Sequence, residues 1–444
     1  MKQLKLHADT VHAWFLPAGM ATALLAYALV PLPALAVLAA GAFAALSYHA
    51  PRLGLAAVLA TLPTYYFPRE LGGLAFSLPE TALLLTAAAL AARWAVRRDV
   101  RPLATPFDPW VALFVAAALL SLLPTEYLKL SLRSLRTLIL EPILFYYLTA
   151  ALCPSLRAMR PLVVSFLGAA AAVALLAVAQ VLGNVNTVQV EGVRRALGLY
   201  PSPNQLALYL GYALPLAAAL ALWAPALRGW LGALAALLAL ALALTFSIGG
   251  WLGAGVSLLV LAALWGRRAL VVAAAAGLAL GAASLAVAAR LGVERILSGS
   301  TAAFRRQIWT SALAMLRDHP LFGVGLDNFL YRYQLQYMLP EAWAEPNISH
   351  PHNWVLQFWL EMGAFGLVAA LGLLARFGWL VLRGLRARPA GTDRALLAGS
   401  LAAVVGVFVH GSLDNSYFLV DLSILFWWQL AIAAASAAEN LDRS

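Results

Sequence analysis

The chain has 444 residues, of which 63% are hydrophobic and 11% charged, and its formal net charge is +11. A soluble domain carries roughly 25% charged residues, so composition excludes an ordinary soluble fold and points to a polytopic membrane protein. The positive charge is not a nucleic-acid footprint, because the basic residues lie in short loops between apolar runs, and the single cysteine, Cys153, excludes an internal disulfide and a thiolate metal site.

A run of about 20 apolar residues crosses the ~30 Å hydrocarbon layer. About fourteen such segments follow one another, near 13–30, 33–49, 53–66, 74–94, 109–124, 136–152, 162–182, 203–223, 229–246, 249–265, 269–289, 353–382, 396–412 and 417–437. The basic N-terminus leads into the first, which reads as a retained span because no small-residue cleavage site follows it. Placing Lys2 and Lys5 in the cytoplasm puts Arg52, Arg97, Arg98, Arg101, Arg157, Arg160, Arg228, Arg267, Arg268, Arg383, Arg386, Arg388, Arg394 and Arg443 there too. Both termini are then cytoplasmic. The expected fold is an all-α polytopic bundle of about 12–14 spans. N-terminal membrane helices occupy 1–289, a large external and partly helical loop 290–351, and C-terminal membrane helices 352–444.

The same alternation places Pro124–Leu135, Gly183–Pro203 and the large loop outside. Arg133, Arg136, Arg194, Arg195, Arg305 and Arg306 lie in or beside these segments, against the usual bias, and each calls for a local reason. Within the large loop, 302–317 reads as an amphipathic helix and Pro320–Gly325 as a turn.

Three stretches could carry chemistry. In Ser349-His-Pro-His-Asn-Trp, Pro351 stands where a helix can begin, and His350 and His352 sit at its mouth. Imidazole is the side chain best poised to accept a proton near neutral pH. Asn353, Gln357 and Glu361 follow at i, i+4 and i+8, which puts them on one helix face; a glutamate inside a membrane usually faces a polar cavity or a partner. A capped helix start with a structural polar face is the plainer reading and about as good. The second stretch, Val193-Arg-Arg-Ala-Leu-Gly-Leu-Tyr-Pro-Ser-Pro-Asn204, sets two arginines at the membrane surface, where guanidinium could grip a phosphate or simply snorkel. The third is Phe304-Arg-Arg-Gln-Ile-Trp309 with His319-Pro-Leu-Phe-Gly-Val-Gly325, whose glycines read as turn formers.

Taken in order, these motifs resemble the O-antigen ligase superfamily, which also holds O-antigen polymerases and bacterial protein O-oligosaccharyltransferases. The carriers are Arg-x-x-Gly-x-x-x-x-Pro-Asn before a span, Arg-x-x-x-Trp, and His352-Asn353 followed by Gly363 and Gly366, over about residues 190–370. Members of such families are described with about twelve spans. The resemblance implies an inverting, metal-independent glycosyltransferase of the bacterial inner membrane with its site facing the periplasm. It would need no cofactor and would take an undecaprenyl-diphosphate-linked glycan as donor. His352 is the expected catalytic base; Arg194 or Arg195, with Arg305, are the expected diphosphate ligands, and Arg306 is held in reserve. His350, Asn353, Gln357 and Glu361 are supporting residues. The expected acceptor is lipid A-core or another sugar, with membrane lipids as further partners and no nucleic acid. Ligase leads over polymerase and protein oligosaccharyltransferase on the His-Asn and Gly-x-x-Gly match.

Two other classes are weighed. A metal site on His350, His352 and Glu361 is disfavoured because Glu361 lies about 13 Å along the helix from His352. A transporter using Glu80, Glu141, Glu361 and Asp421 as a path lacks the internal repeat such folds show.

Overall fold

The computed structural model describes residues 2–71, 74–98, 104–190, 193–290, 300–343 and 346–441. Arg101, Arg443 and the first part of the large loop, 291–299, lie outside the described residues.

Each of the fourteen apolar runs contains a helix, and the chain is 78% helix against 2% strand. In chain order come α1 (Lys2–Leu29), α2 (Pro33–His49), α3 (Pro51–Thr61), α4 (Leu78–Arg97) and α5 (Asp108–Leu120). Then α6 (Leu128–Ser134) runs through a π turn at Leu135–Leu140 into α7 (Glu141–Leu152). α8 (Arg160–Gly183), α9 (Pro203–Trp223), α10 (Arg228–Ala243), α11 (Ile248–Trp265) and α12 (Arg267–Arg290) follow. The large loop holds α13 (Ser300–Asp318) and α14 (Phe329–Arg332), and the chain closes with α15 (Trp354–Arg386), α16 (Thr392–Gly411) and α17 (Val420–Leu441). Two hairpins interrupt this pattern, β1 (Arg69–Leu71) with β2 (Leu74–Phe76) and β3 (Val188–Val190) with β4 (Val193–Arg195). The second hairpin forms the segment that bears Arg194 and Arg195.

Among the described residues, eight helical stretches are long and apolar enough to cross a membrane, and Phe15–Leu29, Pro33–His49 and Asp108–Leu120 are shorter apolar helices. The run at 53–66 is not one uninterrupted helix. α3 has 11 residues and gives way to a 3-10 turn at Leu62–Thr64, where Pro63 cannot donate to the helix ladder. At 1.5 Å per residue α3 covers about 16 Å, half the hydrocarbon thickness. In the run at 74–94, Leu74–Phe76 is strand, and α4 starts only after Ser77, which with Glu80 forms a capping box.

In lipid the apolar effect does not press helices together, so close packing and hydrogen bonds must. α9 packs against α16, and α16 against α11. A Cβ on Gly406 would stand 1.9 Å from Ser257 Oγ, so only glycine lets α16 approach α11 this closely. Ser257 Oγ then donates to the Ala402 carbonyl at 2.8 Å. α17 is almost wholly buried, and its Trp427 meets Phe114 and Tyr146 with ring centroids 5.8 and 5.5 Å apart.

The two ends of the bundle differ in chemistry. At one end, Arg52 Nε donates to the Leu152 carbonyl at 2.7 Å and Arg388 pairs with Glu439 at 2.7 Å, so basic loops distant in sequence gather there. At the other end lie the large loop and the residues described next. The arginines that break the loop bias find local reasons here. Arg136 pairs with Glu80 and with Glu141 (3.2 Å), which also accounts for two of the carboxylates a transporter would need.

Candidate functional site

The mouth of α15 is built by three distant segments. Asn353 is the N-cap, not the first residue of a helical face: its Oδ1 accepts from the Val355 and Leu356 amides at 3.0 and 3.2 Å. The expectation that Asn353, Gln357 and Glu361 share a face therefore holds only for Gln357 and Glu361, both buried. A residue at N-cap must leave the helical backbone so that its short side chain can reach the free amides. Just before it, His352 has φ +51°, a left-handed conformation uncommon outside glycine. α13, which extends the expected 302–317 slightly at both ends, braces this loop: Trp309 Nε1 donates to the Pro351 carbonyl at 3.0 Å. Arg305 stands one turn before Trp309 on the same helix, so the Arg-x-x-x-Trp spacing aims both side chains one way.

The two histidines of this mouth meet Asp414, in the turn between α16 and α17. His350 Nε2 lies 3.1 Å from Asp414 Oδ1, a hydrogen bond, and His352 Nδ1 lies 3.6 Å from the same oxygen, an electrostatic contact only. The two rings sit with centroids 4.3 Å apart. Asp414 is 6% exposed. Burial alone would raise its carboxyl, but the His350 hydrogen bond and the nearby polar nitrogens and charge of both histidines prevail and hold it well below the usual carboxylate range. Burial pushes His350 below its ordinary value; Asp414 opposes this and His352 adds to it. Burial also lowers Arg305, while the Asp414 carboxylate favours its charged form. Arg305 is thus close enough to the cluster for its cation to count, whereas Arg306, the next residue, is exposed.

A cleft of about 190 Å³ adjoins the cluster, lined by His350, Asp414, Gln357, Glu361, Asp327 and Gln205 among others. Glu361 Oε2 accepts the Asp327 backbone N–H at 2.5 Å, and the Gln357 amide oxygen is buried without a partner. Burial raises the Asp327 carboxyl, opposed by exposed Arg133. Gln205 connects the cleft to the β3–β4 hairpin. Its neighbour Asn204 accepts from Arg195 Nη2 at 3.2 Å, and Arg195 Nε donates to the Thr245 carbonyl at 2.8 Å. Arg195 is accordingly half-buried and held, and Arg194 is exposed.

The glycines of the motif have a structural task. Gly363 breaks α15 at φ +69°, and a Cβ there would stand 2.0 Å from the Leu321 carbonyl oxygen. Into this break fits the turn at 320–325: the Val324 amide donates to the Leu360 carbonyl at 2.7 Å, and the Ala364 amide to the Leu321 carbonyl at 3.1 Å. Asn328 then ties the turn to α6, donating to Ser131 Oγ at 2.7 Å. Gly363→Ala, with backbone strain and a backbone clash together, is expected to lower the thermal midpoint of the purified protein by several degrees or to prevent recovery of folded protein. Fluorescence-detected gel filtration after a heat step checks this; a variant as stable as wild type would mean the break is not required.

Residue types that can hold a metal do meet here. His350, His352 and Asp414 offer ligand atoms all within 4.8 Å of one another. The carboxylate is Asp414, not the Glu361 weighed from sequence, so the absence of a suitably spaced acid no longer argues against a metal. Arg305 does, because a dication on these three atoms would face its fixed charge. Asp414 was missed in the sequence for want of a spacing rule linking it to residues 62 and 64 positions away. The one available signal was the polar run Ser412-Leu-Asp-Asn-Ser416 between two apolar segments.

Among known proteins, residues 233–371 match the family model described as O-antigen ligase. That segment contains Arg305, Trp309, His350, His352, Gly363 and Gly366, and leaves Arg195 and Asp414 outside it. A search of curated proteins finds no match.

Proposed function

We propose that this chain, whose residues 233–371 match the family model described as O-antigen ligase, is an inverting, metal-independent membrane transferase that moves a glycan from an undecaprenyl-diphosphate carrier to an acceptor hydroxyl. The observation that carries the reading is the His350–His352–Asp414 cluster beside Arg305, above a cleft lined by Gln357 and Glu361. With the N-terminus in the cytoplasm, this end of the bundle faces the periplasm of the bacterial inner membrane.

In this mechanism the acceptor oxygen attacks the anomeric carbon as its proton passes to an imidazole nitrogen. The C–O bond to the diphosphate breaks, and the leaving group takes the electron pair. A single displacement inverts the anomeric centre. His352 is the base. Its buried Nδ1 lies on the Asp414 side, so the carboxylate favours a proton on that nitrogen and leaves the other ring nitrogen to accept one. Asp414 also stabilises the imidazolium that forms. Arg305 and Arg195, the inward members of their pairs, bind the diphosphate and offset its charge as the bond breaks. Fixed guanidinium groups can take the part a divalent ion plays in many transferases.

The acceptor we assign is lipid A-core, which makes the protein an O-antigen ligase; a polymerase or a protein O-oligosaccharyltransferase would use the same base and arginines on another acceptor. Offering lipid A-core, repeat-unit and peptide acceptors to one purified preparation decides among the three.

The metal reading is the second one, because three ligand-type residues converge. Transfer is expected to continue in excess EDTA at an undiminished rate. Loss of activity that zinc or another divalent ion restores would replace the base mechanism with a metal-bound nucleophile at the same three residues.

A further inference from the structure

At the end of the bundle away from the histidine cluster, α15, α17 and the segment 104–106 enclose a cavity of about 340 Å³. Arg376 and Arg383 are 24 and 31 residues beyond His352, which is roughly 35–45 Å at 1.5 Å per residue. The cavity lies in the size range of ligand sites, roughly 300–1,000 Å³. Six alanines, among them Ala150, Ala434, Ala435 and Ala438, supply much of its wall, and small side chains on facing helices leave the space between them unfilled.

Its mouth is chemically distinct. Arg376, Trp379, Leu380 and Arg383 line it at i, i+3, i+4 and i+7, which is one face of α15. The two guanidinium carbons lie 4.5 and 5.5 Å from the Trp379 ring centroid. Arg376 is further held by its Nε, which donates to the Pro106 carbonyl at 3.2 Å. Neither arginine pairs with a carboxylate among the described residues. Two described acids close in sequence to the lining are engaged elsewhere: Asp108 accepts from Thr105 and, at 3.0 Å, from the Tyr147 hydroxyl, and Glu439 pairs with Arg388. Two guanidinium groups with no carboxylate partner among the described residues, beside an aromatic ring in the lining of a largely apolar cavity, suit one class of ligand, a phosphate ester carrying a hydrocarbon chain.

We propose that this cavity is a binding site for an anionic glycerophospholipid, its phosphate between Arg376 and Arg383 and one acyl chain in the alanine-lined space. The site is separate from the transferase chemistry and does not depend on that reading. Trp379, 48% exposed, marks the depth of the membrane interface, where a lipid phosphate resides.

The test uses the full-length protein, delipidated in detergent and melted with added dioleoyl phosphatidylglycerol, dioleoyl phosphatidylcholine or glycerol 1-phosphate. Phosphatidylglycerol is expected to raise the thermal midpoint; the zwitterionic lipid with the same chains and the headgroup without chains are not. In Arg376→Gln/Arg383→Gln the apparent affinity for phosphatidylglycerol should fall about tenfold or more. Arg383→Gln alone, at an exposed position, should show a smaller loss in the same direction and covers the case of a poorly folding double variant. Equal stabilisation by both lipids, a full shift from glycerol 1-phosphate, or unchanged phosphatidylglycerol affinity in both variants would overturn the proposal.

Discussion

His352→Ala is expected to abolish glycan transfer while leaving donor binding and membrane insertion intact. Loss of a positioned base costs about 10²–10⁴-fold in rate. The side chain stands at the helix mouth, outside the spanning segments, so its removal opens no cavity in the bundle. Its backbone is left-handed, a conformation that asparagine tolerates better than alanine does. His352→Asn is therefore the companion variant, expected to fold as wild type and to be equally inactive. His350→Ala should be milder, although His350 makes the shorter contact with Asp414. A gel-shift transfer assay on matched, folded preparations decides, and turnover in His352→Asn with loss confined to His350→Ala would move the base to His350. Asp414→Asn adds a pH signature. The carboxylate favours the imidazolium of His350, so without it His350 should hold its proton less readily, and the profile of its imidazole titration followed by NMR should shift to lower pH. An Asn variant that loses folding, instead of shifting the profile, would make Asp414 a structural residue.

The second large effect separates the members of each arginine pair. Arg305→Ala and Arg195→Ala are expected to impair use of the diphosphate donor by roughly tenfold or more each, as one charge-assisted contact contributes about 1.5–3 kcal/mol. Arg306→Ala and Arg194→Ala, at exposed positions, should behave as wild type. Arg305→Lys should recover only part of the loss, because an ammonium group offers a point charge in place of a planar fork. Kinetics at varied donor concentration give the answer. Equal effects across each pair, or none in any, would return these residues to lipid headgroup contact. For Arg195, whose guanidinium also holds Thr245 and Asn204, thermal stability must be measured alongside, since a stability loss would mark it as a strut of the hairpin.

How far the site could be read ahead of the structure depends on how local each feature is. The Arg-x-x-x-Trp and His-x-His-Asn motifs are legible because helix periodicity and capping act over a few residues, so spacing alone puts Arg305 with Trp309 and sets Asn353 at a helix start. Sequence could not say which arginine of 194/195 or 305/306 turns inward, because the choice depends on where Asn204, Thr245 and Asp414 stand. Nor could it recognise Gly363 as a break. The strain is imposed by the turn at 320–325, which shares its hydrogen bonds with the interrupted helix.

Composition and apolar period alone determined the class of this protein: a membrane bundle with helices at all fourteen apolar runs. The reason is that lipid leaves a backbone no partner but itself, and the helix is the local solution. The crossing count was less secure, because whether 11 apolar residues span, or stop at Pro63, depends on the neighbours of α3. The acid that meets the histidines was decided by tertiary structure only. Asp414 reaches His350 because α15 and α16 pack with their polar ends level, and no spacing rule connects residues on different helices. The same holds at the far end, where Arg383, which reads as an ordinary loop charge, and Arg376, inside an apolar run, line one cavity with alanines from both earlier and later helices.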